Sequence, residues 1–365
     1  MATLFEKLTP INQRRLRIYL SNRRGVVCSV LLVLIMLICM PAEFVANDKP
    51  LLIRLQGRTY FPAFKEYADT AFVPDKDERE RFLDDGILLE TEPDYRDKLF
   101  VEDVITSRGG TLLWPVVPWS YDTHDTSSEH PAPAPPSKRH WLGTDDQARD
   151  VVARAIYGLR LSMIFGFSLT IVSTVIGALL GLWQGYCGGG VDLTMQRVIE
   201  IWGSMPQLFL LIIMASIIPP GFWSLMGVML LFSWMGAVGL VRAETLRTRN
   251  FEYVKAARAL GMSEFRIAIT HVLPNATVAT LTFFPFSMAA SLTALVSLDF
   301  LGLGLPPGSP SLGELLQQGK ANATNAPWLG LTGFFVMGSM LAMVVFVGEA
   351  IRDALDPHKN LAPGK

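Results

Sequence analysis

Charged residues are scarce in this chain of 365 residues, at 18%, against about 25% in ordinary soluble domains. The formal net charge of −1 leaves no global basic field, which excludes a nucleic-acid partner recognised by bulk electrostatics. Only three cysteines occur, Cys28, Cys39 and Cys187, too few for a disulfide scaffold and without metal-ligand spacing. The five histidines, His124, His130, His140, His271 and His358, are dispersed and read as surface or capping residues rather than ligands. No G-x-x-x-x-G-K-[ST] phosphate loop, H-E-x-x-H pair or G-x-S-x-G nucleophile turn appears. The reading is a non-enzyme with no cofactor, no metal and no ATPase site of its own.

Asp, Glu, Lys and Arg are missing altogether from five long runs, 25–42, 161–191, 201–241, 272–298 and 321–348. Half the residues are hydrophobic and mean hydropathy is +0.33. A bilayer-crossing helix needs about 20 predominantly apolar residues. Pro219-Pro220-Gly221 splits the longest run in two. Six transmembrane helices follow, over about 25–45, 161–183, 200–218, 222–241, 276–297 and 328–348. Buried helices of a soluble protein seldom give uncharged runs this long. A cleaved signal peptide fits the first run poorly, because its apolar stretch is long and no A-x-A site follows. An uncleaved anchor is expected.

Basic residues orient the spans. The tail 1–24 carries Lys7, Arg14, Arg15, Arg17, Arg23 and Arg24 against Glu6. The connection 242–272 carries Arg242, Arg247, Arg249, Lys255, Arg258 and Arg266 against three acids. Both are expected in the cytoplasm, as are both termini. The segment 46–140 then forms a long periplasmic insert, and 141–365 a core domain with five spans and a cytoplasmic loop at 242–272. From Asn47 to Asp150 acids outnumber bases 21 to 13. A small irregular domain is expected there, ending in a polyproline-type linker at 130–137. The acidic stretch 75–85 reads as a solvated face.

After the linker, Gly143 and Thr144 can begin a helix, with Thr144 or Asp145 as N-cap. Val151, Val152, Ala155 and Ile156 suggest an interfacial amphipathic helix feeding span two, with Trp141 and Tyr157 in the headgroup belt. On the cytoplasmic connection, Tyr253, Ala256, Ala257 and Leu260 fall at i, i+3, i+4 and i+7, one face of a short helix. Asn250 is its expected N-cap and Gly261 its C′ stop. Ser263 is expected to cap a second helix ending near Pro274. The small face permits close approach by another protein, with Ala257 in a tight contact and Arg258 free to pair with a partner's carboxylate. Packing on the chain's own helices is the plainer alternative. The spans hold no central acid, which argues against an ion-coupled carrier. A six-span chain without an ATP site draws its driving force from a partner.

These residues resemble the permease subunits of binding-protein-dependent ABC importers. The family pattern is E-A-A, three residues, Gly, nine residues, I-x-L-P; here stand Lys255-Ala256-Ala257, Gly261 and His271-Val272-Leu273-Pro274. Lys255 reverses the usual acid. Gly143-Thr144-Asp145 with Arg149-Asp150 resembles the G-T-D-x-x-G-R-D of the dipeptide, oligopeptide and nickel branch, with Ala148 in place of the second glycine. The segments 297–304 and 348–357 resemble its S-F-L-G-L-G turn and C-terminal R-D-A-L-D-P. Within that branch the likeness is closest to the Yej-type importers of oligopeptides and microcin C, on segments 46–52, 280–300 and 304–315 and the enlarged loop.

The resemblance implies a type I ABC importer permease fold in the bacterial inner membrane. It implies a second homologous permease, two ATPase domains that use the ATP, and a periplasmic peptide-binding protein. Tyr253, Lys255, Ala256, Ala257, Arg258, Leu260 and Gly261 would then couple the path to the ATPases through loop 250–274. Gly143, Thr144, Asp145, Arg149 and Asp150 would form a motif on the periplasmic side. Peptides are the expected cargo; a dipeptide or nickel permease, or in another class a membrane receptor or scaffold with a periplasmic sensing domain, are the alternatives.

Overall fold

The computed structural model of the chain describes residues 9–356 apart from 74, 90, 98 and 127–129. It divides into two units, one of 1–35, 161–307 and 334–365, the other of 36–160 and 308–333. In chain order the helices begin with α1 (Pro10–Ser21) and α2 (Arg23–Cys39), bent by 89° at Asn22, then the single turn α3 (Ala42–Val45). The first span therefore stops six residues short of its expected end, at the turn before Pro41, which has no N–H for a continuing helix.

The insert follows, and it is not all-helical. Strands β1 (Leu52–Leu55), β2 (Arg58–Tyr60) and β3 (Thr111–Leu113) form an antiparallel sheet of order β2-β1-β3, with Ile53 opposite both Tyr60 and Leu112. Ile53 and Leu55 point inward and Arg54 outward, the period of a half-buried strand. They close a core with Phe72, Leu88, Phe100 and Val104. Helix α4 (Lys76–Asp84) lies in the expected acidic stretch, and Asp75 caps it by accepting from Asp77 N. The proline-rich end is no free linker: Ala134 is buried, its N–H donates to Thr144 Oγ1 at 2.8 Å and its C=O accepts from Thr144 N at 2.9 Å.

Helix α5 (Val151–Cys187) runs unbroken through the region expected to hold a separate interfacial helix. It also starts later than expected: Asp150, not Thr144 or Asp145, is the cap, its Oδ1 accepting from Ala153 N at 2.8 Å. Helices α6 (Gly189–Gly203) and α7 (Gln207–Ile217) meet at a 68° bend, so the expected continuous span 200–218 is broken. Pro206 lacks an N–H and drives Met205 out of the helical region, a local signal the hydropathy reading overrode. The break at Pro219-Pro220-Gly221 stands as expected, between α7 and α8 (Phe222–Thr248). Next come α9 (Glu252–Ala259), α10 (Glu264–Ile267) and α11 (Leu273–Phe300), then α12 (Leu312–Ala321) and α13 (Pro327–Leu355).

Among the described residues, four helices are long and apolar enough to cross a membrane, or up to six if each bent pair is one span. Many of their apolar side chains face outward, among them Phe167, Leu179, Phe334 and Phe335, as lipid-facing residues must. Helices α5 and α8 approach closely through three glycines one turn apart. A Cβ on Gly177, Gly181 or Gly185 would stand 2.5–2.8 Å from the carbonyls of Trp234, Val238 and Arg242. This G-x-x-x-G spacing is how membrane helices reach close backbone contact, and the sequence reading passed over it. Gln184 and Asp192 add a polar pairing at one end: Arg242 Nη2 donates to Asp192 Oδ2 at 2.7 Å.

Candidate functional site

The 249–272 connection is built from α9, a glycine turn and α10. Helix α9 ends at Ala259, with Leu260 as its C-cap, because Gly261 takes φ +80°, the left-handed conformation that a glycine adopts without steric cost. The expected caps behave differently. Asn250 donates to Leu246 O instead of capping α9, and Phe251 occupies the N-cap position without a side-chain bond. Ser263 holds the N-cap of α10, also without one. The second helix does not end at Pro274: it passes through a wider-wound stretch at Ala268–Val272 directly into α11, whose second residue is Pro274.

The expected four-residue face is divided. Ala257 is 7% exposed and packs with Val254, Ile267 and Val272 of its own chain. Tyr253, Ala256 and Leu260 face outward, Leu260 with 86% of its surface open. Phe265, which the periodicity argument did not reach, stands beside the turn at 77%. Val254 and Ala257 form the inner stripe, at i and i+3, while the outer stripe carries the free apolar surface. Arg258 is satisfied within the chain: its Nε donates to Glu264 Oε1 at 2.7 Å and its Nη2 to Oε2 at 3.0 Å. Tyr186 also bonds Glu264. This cluster staples the two ends of the turn. Lys255 pairs with Glu252 at 2.9 Å on the exposed side. Tyr253 accepts from Asn275 Nδ2 at 2.8 Å.

In the other unit, Gly143, Thr144, Asp145, Arg149 and Asp150 come together in one buried turn. Gly143 sits at φ +76°, and an added Cβ would meet Ala134 O at 2.6 Å. Asp145 Oδ1 accepts from Gln147 N and Arg149 N, and its Oδ2 accepts from Arg149 Nε at 2.8 Å. Arg149 Nη2 reaches Glu314 Oε1 at 3.0 Å and Arg154 Nη2 reaches Glu314 Oε2 at 2.8 Å. Arg154 is fully buried and also donates to the carbonyls of Tyr121 and Ser309. Sequence reasoning found Asp145 and Arg149 but missed Arg154 and Glu314, which are 160 residues apart.

Ala148 in this turn holds φ +59°, a left-handed conformation for a residue with a Cβ. Such a residue is strained by roughly 1–2 kcal/mol. The glycine of the resembling motif is explained by that backbone. Ala148→Gly is expected to raise stability by about 1 kcal/mol, net of its unfolded-state entropy. Chemical or thermal melting of the purified chain checks it; an unchanged or lower midpoint would remove the strain account.

His140 was expected at the surface, yet it is 3% exposed and lies between two carboxylates. Its Nδ1 is 2.9 Å from Asp150 Oδ2 and its Nε2 is 3.0 Å from Asp125 Oδ2. Two acceptors on one ring require both nitrogens to donate, which is the imidazolium. Burial works against that charge, but the Asp150 and Asp125 bonds and charges outweigh it, and the His140 pKa rises. Arg139 also pairs with Asp125, and the Trp119 ring lies 4.4 Å from His140 between centroids. Because the folded pKa is above the unfolded value near 6.5, this contribution is complete below about pH 6.5 and is lost as pH rises through the folded pKa. The melting temperature should therefore fall with rising pH above neutrality, and the His140→Gln chain should show less of that fall. Equal slopes in the two chains would remove His140 as the cause.

A family model described as the binding-protein-dependent transport system inner membrane component matches residues 173–360, the stretch holding the stapled loop, helix α8 and the glycine-bearing part of α5 that packs on it. The chain belongs to this family. The permease is 48% identical over 96% of its length to the peptidoglycan transport system permease protein YejE of Agrobacterium fabrum, covering 94% of that relative. It is 46% identical over 97% of its length to the inner membrane ABC transporter permease protein YejE of Escherichia coli, covering 99%. The oligopeptide transport system permease protein OppC of Mycobacterium tuberculosis is 34% identical over 67% of this chain and 84% of its own. Near-complete coverage of the first two carries the insert as well as the spans. The resemblance expected from the loop and turn motifs holds, as does a multi-pass helical permease fold, with the strands of the insert as an addition.

Proposed function

We propose that the permease forms, with a second homologous permease, the path of an ATP-driven peptide importer, and takes its motion from two ATPase domains bound at the 249–272 loop. The supporting observation is the geometry of that loop. Its inner stripe, Val254 and Ala257, is locked into the chain's own core, while Leu260, Phe265, Ala256 and Tyr253 form an exposed, small-to-large apolar patch. An apolar patch on a rigid, stapled turn fits a partner groove better than it fits water. Lys255, Arg258 and Gly261 take supporting parts: Gly261 stops the helix, Arg258 staples the turn and Lys255 presents a charge at its rim. The excess of Lys and Arg near this loop and the tail supports a cytoplasmic position for both, and for both termini, with the insert opposite. A peptide-binding protein would deliver cargo on the insert's side. Relatives named for peptidoglycan and oligopeptide transport share peptide chemistry, which supports a peptide as cargo.

Native mass spectrometry of the gently solubilised complex from its host tests the assembly. A second permease with two ATPase copies, or one double-length ATPase, is expected. A chain that runs alone under conditions that preserve a known importer would return the receptor reading.

A further inference from the structure

Helix α6 reaches further into the bilayer than its hydropathy shows. Its first turn is tied to α8 by the Asp192–Arg242 pair. Its last turn is tied there by Trp202, whose indole N–H donates to Leu231 O at 2.9 Å and whose ring stacks on Phe232. The two helices therefore run antiparallel, side by side, from the level of Arg242 to that of Leu231. Arg242 is the first charge after the uncharged stretch 222–241 of α8, and it marks where that span leaves the hydrocarbon. At 1.5 Å per residue the stretch is about 30 Å long; Arg197 stands about 7.5 Å inside it and Glu200 about 12 Å, close to its middle. The hydropathy reading began this span at residue 200 and left Arg197 outside it.

Asp192, Met195, Gln196, Ile199 and Trp202 make the covered face of α6. The opposite face is exposed and divided lengthwise. Arg197, Glu200 and Ser204 form one edge, at i, i+3 and i+7, while Val198 and Ile201 form the other. Arg197 Nη1 donates to Glu200 Oε2 at 2.6 Å, and the rest of the guanidinium donors stay open among the described residues. Lipid does not accept such an edge: ionisable groups at this depth face protein or a water-filled cavity. The backbone makes the same demand. The break after α6 leaves Ser204 and Pro206 exposed, and a broken helix at membrane depth is tolerated where protein covers it or where it lines water. Contacts between membrane helices are built from small residues that let backbones approach, whereas a full-length arginine and glutamate hold a neighbour away. Water is the better match for the polar edge, and lipid for Val198 and Ile201.

We propose that the Arg197–Glu200–Ser204 edge of α6 lines the aqueous path, and that the Arg197–Glu200 pair is a contact for the charged ends of the cargo, carboxylate to Arg197 and ammonium to Glu200. A paired cation and anion present both signs without net charge. Such a site meets a zwitterionic peptide without trapping it, as a path with weak, passable binding requires. The water-lined edge rests on the depth and exposure of the pair; the peptide nature of the cargo rests on the importer reading.

Thiol labelling of the full chain in membranes of its own host tests the lining. Arg197→Cys, Glu200→Cys, Val198→Cys and Ile201→Cys are each placed in a chain carrying Cys28→Ala, Cys39→Ala and Cys187→Ala, and an immunoblot confirms equal amounts in the membrane. The probe is a trimethylammonium-ethyl thiosulfonate, which reacts with thiols in water. Positions 197 and 200 are expected to react at least ten-fold faster than 198 and 201. Equal rates at all four, or protection of 197 and 200, overturn the lining and put the edge against lipid or the second permease. Uptake of Ala-Ala-Glu and Ala-Ala-Lys, taken as a ratio so that expression cancels, tests the contact. Glu200→Gln leaves a net positive site and should raise the Glu-to-Lys ratio several-fold; Arg197→Gln should lower it. A ratio that both variants leave unchanged, or move the same way, overturns the contact. Labelling needs no transport: a water-accessible edge in a complex that moves no peptide sinks only the importer reading, and peptide uptake with a protected edge sinks only this one.

Discussion

Leu260→Glu is expected to abolish ATP-dependent peptide uptake while leaving the amount of permease in the membrane unchanged. Leu260 has 86% of its surface open, so a carboxylate there stays in water and costs the isolated chain almost nothing. In the docked complex the same carboxylate would be taken out of water in an apolar contact. An anchor side chain in such a contact is worth about 2–4 kcal/mol, so the partner's affinity should fall roughly 30- to 1000-fold. Co-purification of the ATPase subunits and uptake of a labelled peptide measure the two consequences together. Ala257→Glu is the informative contrast. Ala257 is packed against Val254 and Ile267, so its variant should fail earlier, as loss of folded chain from the membrane. Wild-type uptake by Leu260→Glu would show that the outer stripe is not the coupling surface.

The second large effect is expected at Glu314. This carboxylate accepts from both Arg149 and Arg154, and Arg154 has no exposed surface. Removing one partner of a buried pair leaves an uncompensated charge and typically costs 3–5 kcal/mol. Glu314→Ala should therefore lower the stability of the 36–160 and 308–333 unit by about that much. Glu314→Gln, which keeps an acceptor but loses the charge, should fall between Ala and the unaltered chain. Limited proteolysis of the insert, or urea melting followed by tryptophan fluorescence, gives the ranking. A Glu314→Ala chain as stable as the original would mean that Asp145 alone satisfies both guanidiniums.

The helices and the family were legible in the sequence because their signals are local. An uncharged run or a glycine after a short helix is read from its own neighbours. What the sequence concealed was set by distance or by a competing local rule. His140 looked like a surface histidine because Asp125 and Asp150 lie fifteen and ten residues away and only the folded turn brings both to one ring. Glu314 is a first-turn acid behind the Ser311 cap, and its long-range role had no local signal because it depends on arginines contributed from another part of the chain. The four-residue face of α9 was misjudged because periodicity identifies a stripe without saying which side of it is covered. The break at 204–206 was visible as Pro206, yet mean hydropathy across the run masked it.

Helix α10, the wider-wound stretch and α11 together make one 37-residue rod from Glu264 to Phe300, about 55 Å long at 1.5 Å per residue. One end is the stapled turn beside Phe265. At the other, Asp299 clamps a tight turn by accepting from Leu305 N at 2.8 Å. Pro285 lies inside the rod, where a missing N–H leaves one rung of the ladder unmade. The rod is thus a lever with a soft point near its middle. A tilt of about 5° at the loop end, carried over that length, displaces the far end by about 5 Å, close to the width of a peptide backbone. Under the proposed coupling, a small rocking of an ATPase at the loop would be geared up to the size of a peptide, with the proline deciding how much of the stroke is spent in bending.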